Sequence, residues 1–70
     1  MDKRPQLLDV VALVRDRPDL GLRRGQVGAV VDDAGGDLLL VEFADANGEA
    51  FAVPALPAND VLVLRFEPAA

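Results

Sequence analysis

The chain has 70 residues, a formal charge of −5 at neutral pH and 51% hydrophobic side chains, of which three are Phe and none is Tyr or Trp. It contains no Ser, Thr, Cys or His, and its single Lys is Lys3. Nucleophilic and near-neutral acid–base catalysis therefore lack their usual hydroxyl, thiol, imidazole and amine groups, and a pair of catalytic carboxylates would need a deep cleft that so short a chain hardly builds. No catalytic residue and no cofactor is expected.

Residues 1–70 are expected to make one domain, with an ordered core over about 7–66. No cysteine staples it, so Leu, Val and Ala must supply the core. The longest apolar run, Val10 to Val14, is too short for a membrane span, and the first ten residues lack the apolar stretch of a signal peptide. A cytoplasmic protein is expected.

The pattern reads as strands. Leu8 to Val14 is the first, with either Val10, Ala12 and Val14 or Val11 and Leu13 turned inward. A long loop follows, because Pro18 is incompatible with a central strand. Gln26 to Asp32 is the second strand, with Val27, Ala29 and Val31 on one face. Asp33 to Asp37, with paired glycines, is a turn. Leu38 to Ala44 is the third strand, Leu39, Val41 and Phe43 facing together and Glu42 outward. Asn47-Gly48 predicts a hairpin with a type I′ turn. Glu49 to Pro54 is the fourth strand, with Phe51 and Val53 on one side. Pro57 to Asp60 reads as one 3₁₀ turn, and Val61 to Phe66 as a fifth strand packing Leu62, Leu64 and Phe66. The tail from Glu67 is expected to be loose. The class is all-β: an SH3-like five-stranded small barrel with a long loop after strand 1 and a short 3₁₀ turn before the last strand.

Charge is unevenly placed: residues 1–24 sum to +2 and residues 25–70 to −7. Arg15, Arg17, Arg23 and Arg24 flank the long loop and suit an acidic partner or phosphate, although Asp16 and Asp19 offset half of their charge. Gly21, Gly25 and Gly28 read as a tight turn into a strand, since no helix follows to hold an anion. Asp32, Asp33 and Asp37 crowd one turn but do not follow a calcium-loop spacing, so no metal is expected. The three Phe are in phase with the apolar faces of their strands and are expected in the core rather than as base-stacking platforms.

Leu7-Leu8-Asp9-Val10-Val11-Ala12-Leu13, then Leu20-Gly21-Leu22-Arg23-Arg24-Gly25-Gln26-Val27-Gly28-Ala29-Val30-Val31, then Val41-Glu42-Phe43, resembles a family of small bacterial proteins catalogued only as a domain of unknown function (family 4926). The resemblance covers about residues 7–64 and implies a small SH3-like protein encoded beside a partner. Gly25 to Val31 is also similar to the glycine stretch of KOW-type barrels in ribosomal and transcription proteins, which are usually basic, whereas this chain is acidic beyond residue 24.

The expected role is therefore a non-enzymatic protein–protein interaction module of the antitoxin, immunity or accessory kind, whose partner is another protein encoded nearby. A homodimer stays open, because exposed strand edges favour one, and a membrane partner is not expected. Arg15, Arg17, Arg23 and Arg24 on one side and Glu42, Asp45 and Glu49 on the other are the expected recognition residues. The alternative is a KOW-like RNA- or ribosome-associated module working through the arginines; the acidic body makes nucleic acid the less favoured partner.

Overall fold

A computed structural model describes residues 4–66 and 68. Its elements are β1 (Val10–Leu13), a 3₁₀ turn (Pro18–Leu20), β2 (Val27–Gly35), β3 (Leu38–Ala44), β4 (Ala50–Ala52), β5 (Ala55–Pro57), a second 3₁₀ turn (Ala58–Asp60) and β6 (Val61–Val63). The fold is all-β, and no helix of the described residues is long and apolar enough to cross a membrane. The expected loose tail, 67–70, lies outside the described residues apart from Pro68.

The strands form one antiparallel sheet in the order β4-β3-β2-β1-β6, with β5 also pairing β3. Six strands replace the expected five because the segment 50–57 is interrupted. Ala50 and Ala52 pair with one end of β3, and Ala55, Leu56 and Pro57 pair with the other. Between them Pro54 has no N–H to give, yet its carbonyl still accepts from Val41 N–H at 3.0 Å. The described ladders do not join β5 to β6, so the sheet stays open.

The core is Val11, Leu13, Leu22, Val30, Leu39, Val41, Phe43, Leu56 and Val61. The inward face of β3 is as the alternation predicts: Leu39, Val41 and Phe43 are buried and Glu42 is exposed. In β1 the open choice falls to Val11 and Leu13.

Two expectations are corrected, and the inward face of β2 is decided. In β2 the buried positions are Gly28 and Val30, so the face carrying Val27 and Ala29 is the outer one. In β6 Val61 and Val63 turn inward, while Leu62 is 59% and Phe66 77% exposed. Phe51, at 50%, is also outside the core. The cause in β2 and β6 is the same. Both faces of each segment carry apolar residues, so alternation is ambiguous and the neighbouring strand decides. Val11 pairs with Gly28 and Val63, and Leu13 pairs with Val61, so the inward face of β1 is passed to both neighbours.

Gly28 is inward because Phe43 lies opposite it. A Cβ there would stand 2.7 Å from Glu42 O, 2.9 Å from Val41 Cγ1 and 3.1 Å from Phe43 Cδ1. Further along β2, Val31 and Ala34 are each an extra residue against β3, and such bulges bend the strand.

The turns also differ in detail. The first hairpin narrows to Gly36-Asp37, since β2 runs through Gly35. In the second, Gly48 N–H donates to Asp45 C=O at 2.9 Å, and of the two expected positive-φ residues only Gly48 has one, at 82°. The turn is therefore not type I′. Asp45 Oδ1 accepts from Asn47 N–H and Glu49 N–H at 2.9 and 3.0 Å, holding the tip together from inside.

Gly28→Ala is expected to lower stability by about 1–3 kcal/mol through overpacking against the β3 backbone. A urea-denaturation midpoint unchanged by that substitution would contradict the inward placement of Gly28. Leu8 is the one non-glycine among the described residues at positive φ, 72°, with its side chain 76% exposed. Leu8→Asn should raise the same midpoint slightly, because Asn tolerates the left-handed region that strains Leu by roughly 1 kcal/mol.

Candidate functional site

The loop after β1 is more ordered than its sequence suggests. Arg17 and Leu22 exchange both backbone hydrogen bonds, at 2.9 and 3.0 Å, closing a miniature hairpin around the 3₁₀ turn Pro18–Leu20. Gly21, at φ 70°, makes the return possible. Leu22 then drops fully into the core and Leu20 packs against its margin. From sequence alone both residues belong to the long loop after the first strand. The only signal that could have separated them is their apolar character on either side of a glycine within an otherwise charged stretch.

Asp60 is the polar group that organises this region. It ends the second 3₁₀ turn and is 6% exposed, the only buried charged residue among those described. Arg17 Nη1 donates to its Oδ2 at 3.1 Å, and Arg15 Nε lies 3.1 Å from its Oδ1. Each carboxylate oxygen thus has its own guanidinium. The Asp60 carbonyl also accepts from Val14 N–H at 2.9 Å. Main chain and side chain together tie the loop to the start of β6, and the buried charge is compensated as such burial requires. In sequence Asp60 is an ordinary turn residue, because the partners that bury it stand more than forty positions earlier.

Arg17 is shared. Its Nε and Nη2 reach the two carboxylate oxygens of Asp19 at 3.1 and 3.0 Å, a two-point contact on the outer side of the loop. The hydrogen bond from Arg17 holds the Asp19 carboxyl below its ordinary value of 3.8, and Asp19, followed by Asp60, raises Arg17 in turn.

The seven expected recognition residues are consequently divided by the structure. Arg15 and Arg17 are drawn to Asp60, and Asp45 is occupied within its own turn. Arg23 and Arg24 are anchored through their backbones: their N–H groups donate to Gln26 Oε1 at 2.6 Å and Asp16 Oδ1 at 2.9 Å. Their side chains are exposed and form no ion pair with other described residues. Glu42 and Glu49 are exposed on β3 and in the 45–49 turn. The arginines and the acids do not converge on a single cleft, and no cluster suited to a metal ion occurs among the described residues.

What sequence reading missed is the apolar outer face. Ala12 pairs with Val27 on one side and Leu62 on the other, so the three stand in a row across β2, β1 and β6. Val27 is 50% exposed and Leu62 59%. Val10 and Ala29 form the next row, with Leu64 N–H bonded to Val10 C=O at 2.9 Å. Alternation alone hides this stripe, because it places Leu62 on the core face and leaves the choice between Val10 with Ala12 and Val11 with Leu13 open.

Asp60→Ala should cost about 1–3 kcal/mol of stability and speed hydrogen exchange at the Arg17 and Leu22 amides, whereas Arg15→Ala, on an exposed partner, should cost about 0.5 kcal/mol or less. Equal effects of the two would contradict the central place of the carboxylate. The Arg17–Asp19 contribution has a defined pH window. A depressed folded-state pKa stabilises fully above the unfolded value of 3.8 and is lost as pH falls through the lower folded value. Asp19→Asn should therefore flatten the stability profile only below about pH 4, measured by denaturation at stepped pH.

No curated protein and no solved structure matches the chain. Residues 7–63 match the family described as a domain of unknown function, DUF4926, and this stretch includes β1 to β6, the Asp60 clamp and the apolar outer face. The chain belongs to that family.

Proposed function

We propose that the protein is a non-enzymatic interaction module on an SH3-like barrel, binding another protein through the apolar outer face of β2, β1 and β6. The order β4-β3-β2-β1-β6, the long loop between β1 and β2 and the 3₁₀ turn before β6 support the barrel reading; β4 and β5 then count as one interrupted strand along β3. The observation that carries the interaction reading is the row Val27–Ala12–Leu62, apolar and open to solvent across three strands. Contiguous apolar surface of this kind, edged by polar groups, marks interaction sites. Arg23 and Arg24 stand just before β2, at its rim, and suit acidic groups on the partner. Leu8 supports the same reading, since a strained and exposed Leu contributes nothing to the core. An antitoxin, immunity or accessory role fits so small a module.

A second reading, RNA association of the KOW kind, draws on the exposure of Phe51 and Phe66, which gives it stacking surfaces. Phe51 follows Glu49 by two residues on the edge beside β3, where carboxylates oppose phosphate, so the protein partner is the stronger proposal.

Affinity capture from lysate of the source organism separates them. A single protein retained near stoichiometry through nuclease and high salt, and lost with Val27→Glu or Leu62→Glu, is the expected result. Retention of RNA or ribosomal components that vanishes with nuclease, with salt, or with Arg23→Glu plus Arg24→Glu would overturn it.

A further inference from the structure

β6 is a margin of the sheet, pairing only with β1 among the described residues. Val14 N–H donates to Asp60 C=O and Leu64 N–H to Val10 C=O, both at 2.9 Å. Antiparallel alternation therefore turns the main-chain groups of Asp60, Leu62 and Leu64 toward β1 and those of Val61 and Val63 away from it. Val61 N–H is taken by Ala58 C=O at the end of the 3₁₀ turn. Val63 N–H and C=O face away from β1 and find no partner among the described residues.

A groove of about 600 Å³ runs along this margin, lined by Val61, Leu62, Val63 and Arg65 of the strand segment itself. Asp37 and Asn59 line it as well, and Ala58 N–H bonded to Asp37 C=O at 2.8 Å sets Asp37 beside the Val61 end. Arg65 stands beyond Val63 at the other end and makes no ion pair with the described residues. Arg4 lines the groove too, its Nη2 3.3 Å from Leu38 O and 3.8 Å from Asp33 Oδ1.

We propose that the occupant of this groove is β6 of a second copy of the chain, paired antiparallel about Val63. The margin is self-complementary under a two-fold axis. Val63 and its counterpart exchange the N–H and C=O that have no partner among the described residues. Leu62 comes opposite Leu64 of the other copy on the outer face, so the exposed leucine gains an apolar neighbour. Arg65 arrives opposite Val61, beside Asp37, and the two-fold makes that charge contact twice. An isologous pairing needs a self-complementary patch, and opposite charges at its two ends make this one so. A short aliphatic strand with unpaired main chain is a site for strand addition. The dimer joins the sheets edge to edge and leaves the outer face open, so it stands whether or not that face takes another protein.

Sedimentation equilibrium of the full chain from about 10 µM to about 1 mM should show a reversible monomer–dimer equilibrium, with slower exchange of the Val63 amide at the higher concentration. Val63→Pro removes the marginal N–H without touching the β1 ladder and should abolish the dimer, folding being checked by circular dichroism. Arg65→Glu and Asp37→Arg should each weaken it roughly tenfold, and the two together should restore it, as two symmetry-related ion pairs require. The charge swap and the Val63 exchange rate keep the test decisive if Val63→Pro fails to fold. A monomer throughout the range, a dimer with unprotected Val63, or a double variant as weak as the single ones would overturn the proposal.

Discussion

Phe43 rests on a position where a side chain is missing, and the orientation of the sheet follows from that contact. It is the only aromatic ring in the core, and Gly28 stands opposite it with no room for a Cβ. With Gly28 facing inward, Val30 must also face inward and Val27 outward, because neighbours along a strand point to opposite faces. Val11, paired with Gly28, shares that face, and the register with β6 carries it on to Val63 and Val61. One close approach between two strands thereby decides which half of four strands is buried. In a chain this poor in large side chains, the ring and the glycine together do what several interlocking aromatics do elsewhere.

Asp60 serves the other end of the molecule. A small aliphatic core has little to spare for holding a loop of more than ten residues, and ordering such a loop carries a conformational-entropy cost. The loop is held at two points instead: Leu22 in the core, and Arg15 and Arg17 on the Asp60 carboxylate. The arginines that look in sequence like a recognition cluster are therefore partly structural, with Arg23 and Arg24 left facing solvent. Arg17 suits the linking position because a planar guanidinium can engage two carboxylates from different sides, as it does with Asp19 and Asp60.

The consequence for function is a separation of surfaces. The charged loop and the acidic β3–β4 tip lie on elements with their own internal bonds, while the unsatisfied surface is apolar and lies on β2, β1 and β6. The margin of β6, which pairs only with β1 among the described residues, adjoins that face. Both features belong to main-chain register, which the placement of charged side chains along the chain does not reveal. Neither depends on a reactive group, in keeping with a chain whose composition supplies so few.

By itself the sequence determined the all-β class, the complete extent and inward face of β3, the places of the two glycine-bearing turns though not their form, and the 3₁₀ turn before β6. Those features are local: Glu42 breaks an apolar run on one face only, and glycine and proline act on their own backbone. The family match over residues 7–63 was legible in the same way, from residues such as Leu20 to Val31 taken in order. Only the tertiary structure decided the faces of β2 and β6, the exposure of Phe51 and Phe66, the burial of Leu22 and the role of Asp60. In Val27 to Val31 and Val61 to Leu64 both parities are apolar, so a one-residue slip leaves the pattern almost unchanged and pairing with Val11 and Leu13 has to choose. Asp60 likewise acquires its meaning from Arg15 and Arg17, which adjoin it in the folded chain and stand far from it along the sequence.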